Sequence, residues 1–169
     1  MKLFNIALIP ESKSMDVINC AKHFSGIAGQ YLLGDLSLPH VTVYQFKARE
    51  SEIDSVLNKV KSANIEHAIN LSFETFSCIT FDNKTHWASL MPDNVDELNH
   101  MHKTIASAIN RPVKSNYDPH MTLMSTQQSD YELLVDSVKQ NYRPISDKFV
   151  LSVGESDEVG QYLKVIHTF

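Results

Sequence analysis

The chain has 169 residues, of which 43% are hydrophobic and 21% charged, a composition typical of one soluble globular domain. The net charge of −5 argues against a protein that binds long duplex nucleic acid by neutralising phosphates. Two cysteines are too few for a disulfide framework, and no apolar run approaches the ~18 residues of a membrane span. With no signal-peptide pattern at the N-terminus, we expect a cytoplasmic protein with reduced thiols and no membrane contact.

The first half of the chain predicts alternating strands and helices. Residues 3–10, LFNIALIP, read as a strand, and residues 37–46, SLPHVTVYQF, as another. Between them a helix carries apolar residues at helical spacing (Val17, Ile18, Ala21 and Phe24). A second helix starts near Ser51, whose hydroxyl can cap it, and buries Ile53, Val56, Leu57 and Val60. Residues 68–92 then predict two or three strands with a turn at 82–84.

The second half repeats this order. After Pro92 a helix carries Val95, Leu98, Met101, Ile105 and Ile109, and a strand follows from residues 118–125, DPHMTLMS. A capping box of Ser129 with Glu132 predicts a helix that buries Tyr131, Leu134, Val135 and Val138. Residues 148–155 and 161–169 predict two closing strands joined by a loop at 156–160.

The repeated order indicates an internal duplication. IALIP at 6–10 matches ASLMP at 88–92, and His40 matches His120 at nearly the same interval. We therefore predict one bilobal α+β domain over 1–169, with repeats of roughly 1–84 and 85–169. Each lobe is expected to hold an antiparallel sheet with two helices outside. A pseudo-two-fold axis would then make the two sheets face each other across a central groove.

Two strands of the predicted groove begin with the same motif, His40 with Thr42 and His120 with Thr122. Because side chains alternate along a strand, each histidine and threonine should share a face. The H-x-T pattern is weak by itself, and the chain contains a third copy at His102. That copy lies within a predicted helix, where residues two apart do not share a face. The other two follow proline, begin strands and occupy the same step of the repeat.

Imidazole beside hydroxyl suits the cleavage of a phosphodiester. One histidine can act as base and another as acid near neutral pH, while threonine hydroxyls donate hydrogen bonds to the charged phosphate oxygens. Base and acid must approach the phosphorus from opposite sides, as a two-fold groove allows. Zinc usually takes three or four protein ligands, and only two histidines converge here, so we expect no metal or other cofactor.

The HVTV sequence at 40–43 and the HMTL sequence at 120–123 resemble the signature of the 2H phosphoesterase superfamily. Length, repeat, motif spacing and the opening strand are most similar to the bacterial RNA 2′,3′-cyclic phosphodiesterases, also called 2′-5′ RNA ligases. Many relatives carry a basic residue soon after the second motif, where this chain has Met124 and Ser125. The resemblance implies metal-independent opening of 2′,3′-cyclic phosphates to 2′-phosphates, with His40, Thr42, His120 and Thr122 as catalytic residues. It also implies a possible reverse ligation.

Five further residues are candidates for substrate binding. Tyr44 shares a face with the motif residues if alternation holds, and Trp87 is expected to border the groove and stack on a base. Lys84 and Lys114 are expected in loops that approach a phosphate. Tyr117 precedes the second motif and is expected to cover the site.

We expect the partners to be RNA ends or small cyclic nucleotides, and the protein to be a monomer. We assign His120 as base and His40 as acid for ring opening. Two alternatives stay open: hydrolysis of 2′-5′-linked or cyclic oligonucleotides, and a non-catalytic module that binds nucleotides or RNA ends.

Overall fold

The computed structural model describes residues 1–34, 36–80, 82, 84–127 and 131–169. Within these residues the α-helices are α1 (Ser14–Lys22), α2 (Ile53–Lys61), α3 (Val95–Ala108) and α4 (Tyr131–Asn141). The strands are β1 (Lys2–Pro10), β2 (Val41–Ala48), β3 (Ala68–Phe73), β4 (Thr75–Thr80), β5 (His86–Met91), β6 (Met121–Thr126), β7 (Ile145–Ser156) and β8 (Tyr162–Thr168). Among the described helices, none is both long and apolar enough to cross a bilayer.

The strands form two antiparallel sheets. The larger sheet has the order β2-β1-β7-β3, and β8 pairs with β7 beyond the end of β3. The smaller sheet has the order β4-β5-β6, and Leu32 adds an isolated bridge to Met124 at its edge. The α+β class with two antiparallel sheets and four helices agrees with the sequence prediction.

Neither sheet is built from one half of the sequence. Strand β7 from the second half lies between β1 and β3 of the first half, and β4 from the first half pairs with β5. Each half of the sequence therefore contributes to the other half's sheet: β7 and β8 join the larger sheet, and β4 joins the smaller one. This exchange ties the two lobes together through backbone hydrogen bonds. Whether the halves arose by duplication stays a prediction.

Each sheet carries two helices on its outer side. Helix α3 packs on β2 and against α2, and the buried His102 joins α3 to β2, with its Nδ1 2.7 Å from the Val43 carbonyl. Helix α1 packs on β6, while α4 contacts β4 through the Tyr131 hydroxyl, which donates to the Cys78 carbonyl. The two cysteines are free, with Cys20 buried between α1 and α4.

Two local predictions differ from the structure, and two others depend on residues outside the described ranges. Helix α2 follows a 3-10 turn at Glu50–Glu52, where the Glu52 carboxylate accepts the Arg49 N–H at 2.7 Å, and Ser51 does not cap it. Tyr131 is exposed although its hydroxyl donates to the Cys78 carbonyl and its ring lies beside His86. The predicted capping box depends on Ser129, which lies outside the described residues, as does Asn83 of the predicted turn.

Both H-x-T strands contain a β-bulge immediately after the threonine. In the β1–β2 pair, Ala7 lies opposite Thr42 but Ile6 lies opposite Tyr44, so Val43 is the extra residue. Pair β5–β6 shows the same shift between Thr122 and Met124. A bulge places two residues opposite one and interrupts the alternation of faces. The residue two positions beyond each threonine is therefore turned away from the threonine's face.

Candidate active site

A cavity of about 290 Å³ lies where the two sheets meet. Its walls come from both sheets and from three loops. The lining residues are Tyr31, His40, Thr42, Ser77, Ile79, Trp87, Ser89, Met91, Asp118, His120, Thr122, Val159 and Gly160. The four residues of the two H-x-T motifs thus share one cavity.

The two histidines are held by the same kind of hydrogen bond. The Nδ1 atom of His40 lies 2.8 Å from the Leu38 carbonyl, and Nδ1 of His120 lies 2.8 Å from the Asp118 carbonyl. A carbonyl oxygen only accepts, so Nδ1 carries the hydrogen in both rings. Each Nε2 is left as the nitrogen that can exchange a proton with a ligand.

The surroundings of the two imidazoles differ. His40 is only 4% exposed and packs against the Tyr162 ring, with a distance of 5.1 Å between the ring centroids. Burial lowers the pKa of His40 to about 4, and the nearby His120 lowers it further, while the carbonyls of Leu38 and Gly160 oppose the shift. His120 is half-buried in the same cavity. His40 is therefore neutral at neutral pH.

The segment that leads to His40 is fixed by the start of β8. The Tyr162 N–H donates to Ser37 Oγ at 2.9 Å, and the Leu38 N–H donates to the Tyr162 carbonyl at 2.9 Å. The Tyr31 hydroxyl also donates to Ser37 Oγ, at 3.0 Å. Because Leu38 supplies the carbonyl that orients His40, these bonds position the imidazole.

The Tyr162 ring has its own support. Ser152 Oγ donates to the Ala7 carbonyl at 3.0 Å, so its contact of 2.9 Å with the Tyr162 hydroxyl is one in which the tyrosine donates. Gly154 lies under the ring, and a Cβ built on this glycine would approach a Tyr162 ring carbon to 2.5 Å. The ring can therefore pack here only over a residue without a side chain.

The two threonines line the cavity beside the histidines. Asn5 is buried next to Thr42, with its Nδ2 3.4 Å from Thr42 Oγ1. The Tyr117 hydroxyl donates to the Thr42 carbonyl at 3.1 Å. Both neighbours hold the strand that carries Thr42.

Trp87 forms part of the wall contributed by the smaller sheet, and Tyr31 meets it edge to face at 6.0 Å between ring centroids. Ser89 and Met91 follow on the same face of β5. Simple alternation from Trp87 would have identified both residues. Ser77 and Ile79 of β4 could be found only once the pairing of β4 with β5 was known.

Tyr44 lies outside the cavity, in contrast to the sequence expectation. The bulge at Val43 turns Tyr44 to the opposite face, where its ring stacks on His102 at 5.3 Å and its hydroxyl donates to the Pro112 carbonyl. Lys114 lies on this face as well, with Nζ 5.4 Å from the centre of the Tyr44 ring.

The other two expected binding residues also do not line the cavity. Tyr117 stacks on His102, with ring centroids 4.2 Å apart, and reaches the site only through its bond to the Thr42 carbonyl. Lys84 is exposed in the turn before β5, where its N–H donates to Asp82.

Sequence reasoning missed Tyr31, Asp118, Val159 and Gly160 as lining residues. Asp118 is adjacent to the second motif, and this proximity was a usable signal. Val159 and Gly160 lie in the loop between β7 and β8, which Asp157 holds by accepting from the N–H groups of Val159 and Gln161. Nothing in the chemistry of valine or glycine indicates a site.

Within the described part of the chain, no group of three or more His, Cys, Asp or Glu side chains is placed to hold a metal ion. Three such side chains line the cavity, those of His40, His120 and Asp118, and they are not placed to hold a metal ion together.

The fold and the paired H-x-T strands define a 2H phosphoesterase. The family model described as the 2'-5' RNA ligase superfamily matches residues 27–150, so the chain belongs to this superfamily. Membership places it among enzymes with phosphoesterase or ligase activity. None of the curated proteins matches this sequence.

Solved structures show the same fold at low sequence identity. LigT of E. coli complexed with phosphate is 13% identical with a TM-score of 0.63, over 99% of this chain and 96% of LigT. LigT complexed with 3'-AMP is 14% identical with a TM-score of 0.64, over 99% and 97% of the two chains. A protein of Thermus thermophilus, TT0787, is 14% identical with a TM-score of 0.56, over 100% of this chain and 97% of its own.

Proposed function

We propose that this protein opens 2′,3′-cyclic phosphates at RNA or nucleotide ends to 2′-phosphates, using two histidines and no metal. The observation that carries the proposal is the matched pair of imidazoles in one cavity, each with Nδ1 fixed by a carbonyl and each followed by a threonine. LigT structures that hold phosphate and 3'-AMP support a nucleotide ligand for this fold.

In the proposed reaction a water molecule attacks the phosphorus while the bond from phosphorus to the 3′ oxygen breaks. One imidazole takes a proton from the water, and the other gives a proton to the departing 3′ oxygen. The hydroxyls of Thr42 and Thr122 donate to the non-bridging oxygens as charge grows on them. The product is a 2′-phosphomonoester with a free 3′ hydroxyl.

Burial supports His40 as the base and His120 as the acid, which reverses the assignment made from sequence. A bound phosphate anion favours the protonated form of an imidazole beside it. Desolvation opposes that form most strongly at the buried His40, which therefore accepts a proton only as the reaction proceeds. His120, which is half-buried in the same cavity, is left as the acid.

The test is turnover of nucleoside 2′,3′-cyclic phosphates, with separation of the 2′ and 3′ products. We expect the 2′-phosphate only, at a rate unchanged by a chelator. Loss of turnover on chelation, restored by zinc or manganese, would reject the metal-independent mechanism. Parallel assays with 2′-5′-linked dinucleotides and cyclic dinucleotides test the alternative substrates, and binding without turnover of any of them would indicate a non-catalytic module.

A further inference from the structure

The cavity is poor in positive charge for a site that binds phosphate. Of its lining residues, all within the part of the chain that the structure describes, none is lysine or arginine. Its ionisable members are His40, Asp118 and His120, together with the Tyr31 hydroxyl. The proposed reaction uses both imidazoles, and the remaining charged side chain among the described lining residues is a carboxylate, so the lining offers no additional cation for a second phosphate group.

The basic residues closest in sequence to the second motif are directed elsewhere. Lys114 places its ammonium over the Tyr44 ring, on the face of β2 opposite Thr42. Arg111 donates from its guanidinium to the Lys47 carbonyl. Both cations are engaged away from the cavity.

Acidic residues, by contrast, lie at the cavity margin. Asp118 lines it with an exposed side chain, and Glu158 is exposed next to the lining residue Val159. Asp157 lies in the same loop, where backbone N–H groups and the Gln161 amide donate to its carboxylate. The charged side chains of this loop and of the lining position Asp118 are therefore carboxylates.

The remainder of the lining is uncharged. Tyr31, Ile79, Trp87 and Met91 supply aromatic and aliphatic surface, and Ser77 and Ser89 supply hydroxyls. This surface suits the base and ribose of a nucleoside, and a volume of about 290 Å³ lies at the small end of ligand pockets.

We infer that the site selects nucleoside 2′,3′-cyclic phosphates with no other phosphate group, and discriminates against substrates that carry a second phosphate on the same nucleoside. This inference rests on the proposed function and narrows it from RNA ends to mononucleotide-sized monoanions. The distinguishing feature is the juxtaposition of two histidines with an apolar wall and acidic margin, in a cavity with no lysine or arginine among its described lining residues.

The direct test compares adenosine 2′,3′-cyclic phosphate with the same compound carrying a 5′-phosphate. We expect kcat/KM for the unphosphorylated compound to be higher by about threefold or more at low salt, the scale of Coulomb repulsion between partly solvated charges. Added sodium chloride should reduce this preference because it screens the repulsion between the 5′-phosphate and the carboxylates. A preference for the 5′-phosphorylated compound, or kcat/KM that falls steeply for both compounds as salt rises, would overturn the inference.

Two lysine variants provide a matched comparison. Ser77→Lys adds a cation on the cavity wall, whereas Ser62→Lys makes the same change at the exposed end of α2. S77K should lose the preference for the cyclic phosphate without a 5′-phosphate, and S62K should keep this preference. Asp118→Asn, which adds no bulk, should also narrow the preference. An unchanged ratio in both S77K and D118N would contradict the inference.

A binding measurement separates this inference from the proposed reaction. Titration calorimetry compares adenosine 2′-monophosphate with adenosine 2′,5′-bisphosphate on the wild-type protein. Tighter binding of the monophosphate supports the charge selection even if no cyclic phosphate is turned over, an outcome that would reject the proposed reaction alone. Tighter binding of the bisphosphate overturns the charge selection whether or not turnover is seen.

Discussion

His40 and His120 make the same hydrogen bond in different surroundings: each Nδ1 lies 2.8 Å from the carbonyl two residues earlier, yet His40 is buried against Tyr162 and His120 is half-exposed. The shared bond fixes the same tautomer in both rings. Burial lowers the pKa of His40, and the expected behaviour of the variants below depends on this shift.

Replacing either histidine by alanine should lower kcat by at least ~10²-fold, the low end for general acid–base catalysis. The double variant should be little worse than the poorer single variant, because the pair acts as a unit. A p-nitrophenyl phosphodiester, whose leaving group needs no protonation, should restore turnover in His120→Ala and not in His40→Ala. Rescue of His40→Ala alone would show that the roles are the reverse.

The pH dependence of kcat/KM should have two limbs if the pair works as proposed. The acidic limb belongs to His40, whose lowered pKa of about 4 keeps it neutral over most of the accessible range. The acidic limb should persist in the residual activity of His120→Gln, because this variant leaves His40 in place. A profile without any acidic limb would exclude a neutral His40 as the base.

Acid should also destabilise the folded protein through His40. Its pKa of about 4 when folded lies below the unfolded value near 6.5, so the unfolded chain binds more protons between these values. The free energy of unfolding therefore falls as pH drops from about 6.5 to 4, by about 3 kcal/mol in all. Urea titrations across this range should show a shallower fall in His40→Asn, and an equal slope in both proteins would contradict a buried neutral imidazole.

Variants of Trp87 on β5 and Tyr44 on β2 test which face of these strands binds the substrate. Trp87→Ala should weaken binding of a cyclic nucleotide by about 1–3 kcal/mol, the worth of stacking one base on an aromatic ring. Tyr44→Phe removes only the bond to the Pro112 carbonyl, so it should cost about 1 kcal/mol of stability and leave KM unchanged. A raised KM in Y44F with a normal KM in W87A would place the base on the other side of β2.

Gly154→Ala should disturb the site without touching the cavity. The added methyl would collide with the Lys164 carbonyl and with the Tyr162 ring, which packs against His40, and overpacking of this kind costs about 1–3 kcal/mol. Thermal melting should report the loss of stability, and turnover should fall with it. Gly26→Ala is the control because a Cβ there has no atom within 4 Å. Equal melting temperatures and equal turnover of the two variants would contradict the close packing at Gly154.

The catalytic candidates could be predicted from sequence because the signal was local. In each motif the histidine and the threonine are two residues apart, so alternation along the strand predicts that they share a face. The bulge that interrupts this alternation comes only after the threonine. Tyr44 lies just beyond Val43, where the same rule fails, since a bulge is set by pairing with β1 and leaves no mark in the sequence of β2. The placement of β4 and β7 in the two sheets could not be predicted either. An apolar run indicates that a strand is buried, but it does not indicate which strands it pairs with.

The exchanged strands have a consequence for how the protein matures. Strand β7 fills the gap between β1 and β3, so the larger sheet stays open until residues 145–156 have left the ribosome. A nascent chain that already contains both histidines still lacks β8, whose Tyr162 fixes His40, and the loop that bears Gly160. Since such distant pairings form slowly, the cavity is complete only at the end of synthesis.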